Sequence, residues 1–331
     1  MIRLVLAALC SFATPALAQL VVDFSDSVLS APQGQYPIYT GSGTNVIRGQ
    51  TLCAGTFAGL PTSQMVCTHF GVQLAEVNGT GPVQYSQFVV RFGSTPVATL
   101  TGSWATNLPD QRVQLDLSGQ FISGGVGANQ WFEWPLLHPF VYNPGDGMVI
   151  DITSQAAVAG TYLRTAIASS APRCVSTNYT GGNGSATTSG GIKFRMVFET
   201  SGFVVNRPGC DGSGAITPEI AATGAPTLGN ASFTIDLQNA LGGALCGLVL
   251  GFPTDLDIGG GCHVWTNSFG FVLLGTSGSG AGNGTASFPF PIPNNPSLVN
   301  AEFAAQWGVS DPGSASPFGL AMSSAATLLI F

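Results

Sequence analysis

Helical periodicity is almost absent from this chain, and that excludes most folds before any single residue is weighed. Short apolar runs recur along the 331 residues, cut by clusters of Gly, Pro, Asn and Asp; glycine alone occurs 45 times and proline 21. Runs of that length bounded by turn residues read as strands. Asn143-Pro144-Gly145-Asp146-Gly147 is a turn by composition, because proline presets φ and glycine supplies positive φ. The run after it alternates, with Val149, Asp151 and Thr153 pointing one way and Met148, Ile150 and Ile152 the other. One polar face and one apolar face predict an antiparallel sandwich. Further strands are predicted near 71–77, 88–92, 95–104, 113–117 and 192–199, then near 215–222, 232–237, 245–252, 263–265, 269–274, 286–291, 301–309 and 325–331.

The predicted fold class is all-β, with two antiparallel β-sandwich domains. The first, 19–205, reads as jelly-roll-like, and the second, 206–331, as immunoglobulin-like, with seven or eight short strands. The junction falls near Val204–Gly214, which holds Asn206, Arg207, Pro208, Gly209, Cys210 and Gly212. Charge changes there too. From Pro208 to Phe331 there is no Lys or Arg, against seven carboxylates: Asp211, Glu219, Asp236, Asp255, Asp257, Glu302 and Asp311. That half carries the whole formal charge of −7. A surface without cations does not grip phosphate, so nucleic acid, nucleotide and anionic lipid are excluded as its partners. Charged residues are 8% of the chain, against about 25% in ordinary proteins. With 45% apolar residues it can still build cores, which a disordered linker cannot.

Residues 1–18 read as a secretory signal peptide: Arg3, an apolar run from Leu4 to Ala13, and a small-x-small site at Ala16-Leu17-Ala18. Cleavage near Ala18 predicts a secreted, periplasmic or cell-surface protein starting at Gln19. No later segment reads as a transmembrane helix; the most apolar stretch, 240–252, is broken by Gly242, Gly243, Gly247 and Gly251 and stops at Pro253. Six cysteines follow the leader: Cys53, Cys67, Cys174, Cys210, Cys246 and Cys262. In an oxidising compartment they are disulfide candidates, and six allow 15 connectivities. Zinc is the rival reading, but no CxxC pair occurs.

The second half carries Gly209-Cys210-Asp211-Gly212-Ser213-Gly214, Thr227-Leu228-Gly229-Asn230, Asp255-Leu256-Asp257-Ile258, Gly261-Cys262, Pro291-Ile292-Pro293-Asn294-Asn295-Pro296, Gln306-Trp307 and Asp311-Pro312-Gly313. In this order the motifs resemble a C-terminal β-domain of exported proteins from planctomycete-type and myxobacterial-type bacteria. The resemblance spans about 209–331, and the Pro-x-Pro-Asn-x-Pro block is its most specific part. Phe140-Val141-Tyr142-Asn143-Pro144 with 148–153 resembles the β-domain that often precedes it. The resemblance implies export, β-domains and a Cys210–Cys262 pair, and assigns no chemistry. Cys246 departs from the pattern, and Cys53 and Cys67 are the candidates of the first half.

Catalytic patterns are missing. No Gly-x-Ser-x-Gly elbow occurs, nor His-Glu-x-x-His, nor a phosphate loop; Lys193 is the single lysine. His69, His138 and His263 each stand alone, His138 reading as a partly exposed loop residue. Glycoside hydrolysis needs two facing carboxylates, and the spacing of Glu76, Asp110, Asp116, Glu133, Asp146, Asp151 and Glu199 selects no pair. Calcium is the best metal candidate, on Asp255 and Asp257 before Gly259-Gly260-Gly261, because a hard cation takes carboxylate and carbonyl oxygens. For ligand binding the candidates are Trp131, Glu133 and Trp134. In a strand Trp131 and Glu133 share one face, where an indole can stack on a sugar ring, while Phe132 and Trp134 share the other.

These readings predict a non-catalytic exported protein of the cell envelope or extracellular matrix. It acts by adhesion, structure or weak binding of a glycan or envelope polymer. A secreted hydrolase using carboxylates of the first domain is the alternative. An outer-membrane β-barrel, suggested by the terminal Leu329-Ile330-Phe331, is the third.

Overall fold

The computed structural model describes residues 19–24, 45–78, 83–110, 112–119, 121–122, 131–156, 162–165, 167–168 and 171–331. The leader read at 1–18 lies outside them. The first unit contains β1 (Gln19–Phe24), β2 (Ile47–Cys53), β3 (Met65–Asn78), β4 (Val83–Thr95), α1 (Trp104–Asn107), β5 (Leu115–Asp116), β6 (Phe121–Ile122), β7 (Trp131–Tyr142), β8 (Gly147–Ala156), β9 (Tyr162–Thr165), β10 (Ile167–Ala168), β11 (Arg173–Ser176), β12 (Ser185–Thr187), β13 (Gly191–Ile192) and β14 (Phe194–Glu199). The second contains β15 (Phe203–Arg207), β16 (Glu219–Thr223), β17 (Thr234–Gly242), β18 (Leu245–Gly259), β19 (Cys262–Gly275), β20 (Gly280–Pro289), β21 (Glu302–Ser310) and β22 (Leu320–Leu329). The chain is all-β and sandwich-like, and all the pairings are antiparallel.

In the first unit a sheet ordered β1-β14-β3-β7 faces one ordered β12-β11-β2-β8-β4-β5. Their inner faces interleave Phe24, Phe70, Phe194 and Phe198 with Phe88, Phe92, Ile150 and Ile152 in one buried cluster. In the second, β15-β22-β21-β18-β19 faces β16-β17-β20 around Phe233, Leu248, Trp307 and Leu328. Every main sheet is an open ribbon with two edges, so the barrel reading is overturned.

Four expectations change. Residues 95–104 were expected as a strand, but the segment leaves β4 and ends in α1, whose N-cap Ser103 accepts from Thr106 N. Phe203–Val205, which the sequence groups with the first domain, lie in β15, and β15 pairs with β22. The two short strands at 263–265 and 269–274 are one strand, β19. The outward face of β8 is not wet: Asp151 and Thr153 are buried along with Val149. The segment carrying α1 covers that face, with Leu108 packing on Leu52 and Val149.

The two units meet along β7. Asn206 Nδ2 donates to the carbonyls of Leu136 (2.8 Å) and Leu137 (3.2 Å), and Thr327 Oγ1 donates to Leu137 O (3.2 Å). His138 therefore lies in a strand at the domain junction, not in a loop. Its Nδ1 meets the Glu302 carboxylate, which Arg112 Nη2 also reaches at 2.7 Å.

Candidate functional site: an aromatic and charged row on the first sandwich

β1, β14, β3 and β7 carry alternating residues, so one parity fills the core and the other stands on the outer face. The register puts Asp23 opposite Arg195, Arg195 opposite Gly71, and Gly71 opposite Glu133. Asp23, Arg195, Gly71 and Glu133 thus form one row across four strands. Gly71 is the gap in it. A Cβ there would stand 3.5 Å from the Arg195 Cβ and 2.7 Å from the Phe132 carbonyl.

The Arg195 side chain makes the row a unit. Its Nε and Nη2 donate to the two Asp23 oxygens at 2.6 and 2.9 Å, a bidentate fork. Nη1 lies 3.9 Å from Glu133, and the guanidinium stands 4.5 Å from the centre of the Trp131 ring. The hydrogen bonds to Asp23 raise the Arg195 pKa above its ordinary value, partial burial works against them, and the two carboxylate charges add to the rise. Arg195 is therefore a fixed cation that orders one indole and two carboxylates. Asp23 and Glu133 keep 40% and 35% of their side chains in water, so they can accept from a ligand. One row along, Val197 is buried while its β1 neighbour Val21 is exposed.

Trp131 and Glu133 are brought together as their shared parity predicts. Trp134 stands on the opposite, core-side face and is partly buried. It packs on the core cluster, stacked on Phe132 at 5.8 Å and tilted against Phe88 at 6.2 Å. Sequence reading missed Asp23 and Arg195; the one available signal was their polar outward parity within QLVVDF and FRMVFE.

The calcium candidates serve other partners. Both Asp255 and Asp257 are exposed; Asp255 Oδ1 lies 2.6 Å from His263 Nδ1, and Asp257 Oδ1 accepts from Gly259 N at 2.7 Å. Gly259, Gly260 and Gly261 have φ of 85°, 67° and 76°, so the triple glycine is the tip of the β18–β19 hairpin. Among the described residues no three His, Cys, Asp or Glu side chains gather where a metal could sit.

Cys210 and Cys262 form a disulfide. Cys53 and Cys67, the other candidates, are both free and buried, as are Cys174 and Cys246. Burial pushes the Cys174 thiol up to about 11 and the other three up as well, so none is a thiolate nucleophile at neutral pH. His69 meets Thr68 Oγ1 at 2.9 Å, and His263 stacks on Trp265 at 4.8 Å. The cleft between the units, about 400 Å³, is lined by one carboxylate, Asp110, with Arg112, Gln114, Phe140 and Asn300.

A second charged assembly lies under α1. Arg48 Nε donates to both oxygens of Asp151 at 3.1 and 3.0 Å, and Gln50 Nε2 to one of them at 2.7 Å. Trp104 and Tyr179 cover the guanidinium at 4.9 and 5.1 Å. Trp104 is tied down by its Nε1 donating to Gly182 O at 2.7 Å. A sealed, internally satisfied cluster of this kind holds the covering segment and offers no group to a substrate.

No family model and no curated protein matches this chain. Its functional reading therefore rests on the geometry above.

Proposed function

We propose that this chain is a non-catalytic exported protein that binds a neutral glycan weakly through the outer face of its first sandwich. The Trp131–Arg195–Asp23–Glu133 assembly carries the reading. A sugar ring offers C–H faces to an indole and hydroxyls to carboxylates, and this surface presents both, pre-ordered by one guanidinium. The one cation of the row, Arg195, is already engaged by Asp23, Glu133 and the Trp131 ring, which favours an uncharged polymer over phosphate-bearing ones. The resemblance of 209–331 to a β-domain of exported bacterial proteins supports a place in the envelope or matrix. The hydrolase alternative would draw on two carboxylates across a cleft, and the interdomain cleft supplies Asp110 alone.

The test is a glycan-array screen of residues 19–331 beside the Trp131→Ala variant. Binding to neutral glycans that disappears in the variant supports the proposal. Turnover of any glycan, or binding that survives loss of Trp131, counts against it.

A further inference from the structure

The cleft between the two units, about 400 Å³, falls in the size range of small-molecule sites, roughly 300–1,000 Å³, and such sites concentrate where domains meet. Residues 139–141 of β7 supply one wall, the segment 110–114 a second, and Val299, Asn300 and Leu329 of the second unit a third. Trp131, Glu133, Arg195 and Asp23 take no part in it.

Its polar groups are only partly engaged. Gln114 is 3% exposed, and its Oε1 accepts from Phe92 N at 2.9 Å. The Nε2 of the same amide has no partner among the described residues and is not sealed from solvent. Buried carboxamides ordinarily have both ends satisfied. Here one end holds the side chain to β4, and the other leaves its N–H bonds for whatever fills the cleft. Arg112 engages Glu302, at 2.7 Å, and His138 through Nη2, while its Nε and Nη1 donate to nothing among the described residues. Asp110 Oδ1 accepts from Arg112 N at 2.9 Å, and its Oδ2 accepts from none among them. From the second unit comes Asn300, an exposed residue with a left-handed φ of 65° whose N–H is fixed on Ile330 O at 2.8 Å. Its carboxamide has no partner among the described residues. The apolar part is Phe140, held edge-on by Phe92 at 5.7 Å, with Val299, 42% exposed.

We propose that this cleft binds a neutral mono- or disaccharide between the units, at a site separate from the Trp131 surface. Charge argues against ions. Among the described residues Asp110 is the lining's one carboxylate and Arg112 its one cation, and Arg112 is already countered by Glu302. An anion would meet Asp110 and Glu302, and a cation would meet Arg112. A hydroxyl group suits both, since it donates to a carboxylate and accepts from a guanidinium or an amide. A wholly apolar ligand would cover the Gln114 N–H bonds without pairing them, which is costly. The C–H faces of a sugar ring pack against Phe140 and Val299.

Titration calorimetry of residues 19–331 with glucose, N-acetylglucosamine and cellobiose tests it, with acetate and methylammonium as charged comparators. At least one sugar should bind at ~1 mM or tighter, and neither ion should give heat. Asn300→Gly keeps the left-handed backbone and removes the carboxamide, and should weaken binding ~10-fold. Gln114→Glu keeps an acceptor for Phe92 N, removes the N–H bonds and should weaken it to a similar degree. Circular dichroism verifies folding, and Asn300→Gly decides the matter if the Gln114 variant does not fold. Trp131→Ala should leave these affinities unchanged, so the cleft and the outer-face reading fail separately. No heat from any of the three sugars up to ~50 mM, a preference for either ion, or affinity indifferent to Asn300→Gly overturns the proposal. So does sugar binding that Trp131→Ala removes, because it belongs to the outer face.

Discussion

Asp151→Asn keeps the outline of a side chain and removes one charge, at a place where the charge has two dependants. Asp151 has 0% of its side chain in water; Arg48 Nη2 lies 2.8 Å from it and Arg91 Nη1 3.7 Å. Burial alone would lower the Arg48 pKa, but the hydrogen bonds and charge of Asp151 more than offset it and the net shift is upward. Arg91, farther from the carboxylate, is lowered by burial despite the same charge. The variant leaves both guanidiniums ionised against the sheet without the carboxylate they share. Removing one partner of a buried ion pair costs about 3–5 kcal/mol, because the remaining charge has lost its hydration and its counterion. For a unit of this size each kcal/mol moves the melting point by roughly 2–4 °C, so the transition of the first unit should fall by ~10 °C. Scanning calorimetry reads this, with the transition of the second unit as internal reference. Adding Arg48→Met should recover part of the loss, since an apolar chain needs no counterion. A single variant within about 1 kcal/mol of wild type, the range of an exposed pair, would refute the idea that the cluster is dry and closed.

Trp134→Ala should destabilise the first unit by about 3–5 kcal/mol as a core truncation while Trp131→Ala leaves melting nearly unchanged and removes glycan binding; equal effects on stability would dissolve the distinction between the faces. Reducing Cys210–Cys262, which closes a loop of 52 residues, should cost the second unit about 4 kcal/mol on the chain-entropy account, measured by urea unfolding with and without reductant. Unfolded thiols ionise near pH 8.5, whereas Cys53, Cys67, Cys174 and Cys246 are all raised in the folded chain. Their contribution is thus fully present below that pH and declines as pH rises above it, by up to about 1.4 kcal/mol per unit for each thiol; a urea midpoint flat from pH 8 to pH 10 would contradict it. The same four thiols should resist an aromatic disulfide reagent in the folded protein and all react in urea.

The part of the fold that depends on local parity was readable in advance. Met148, Ile150 and Ile152 are core, and Trp131 and Glu133 share the outer face as predicted. What depends on register was not. Asp23 and Arg195 are 172 positions apart, and no periodicity says that β1 and β14 become neighbours. Asp151 looked solvated because alternation shows which way a side chain points, never what later covers it. Pro253 was read as a stop for the strand, yet β18 continues through it. Its pairing with β21 ends at Gly251, so the proline occurs where the strand has a neighbour on one side only and its missing N–H is tolerated. The Cys210–Cys262 bond came from motif resemblance, since sequence spacing alone leaves every connectivity open.

Cys246 gives the oxidation of this chain an order. In the unfolded state it is 16 positions from Cys262 and 36 from Cys210 (262 − 246 and 246 − 210), both nearer than the native partners are to each other. Closing the shortest of these loops is favoured over the native one by about 1 kcal/mol, so an oxidant acting on the loose chain would trap the wrong pair more often than the right one. Once β18 has docked, Cys246 is 1% exposed and out of reach. Packing must therefore precede bonding, and correct oxidation of this chain needs either a slow oxidant or a catalyst that reshuffles early mistakes.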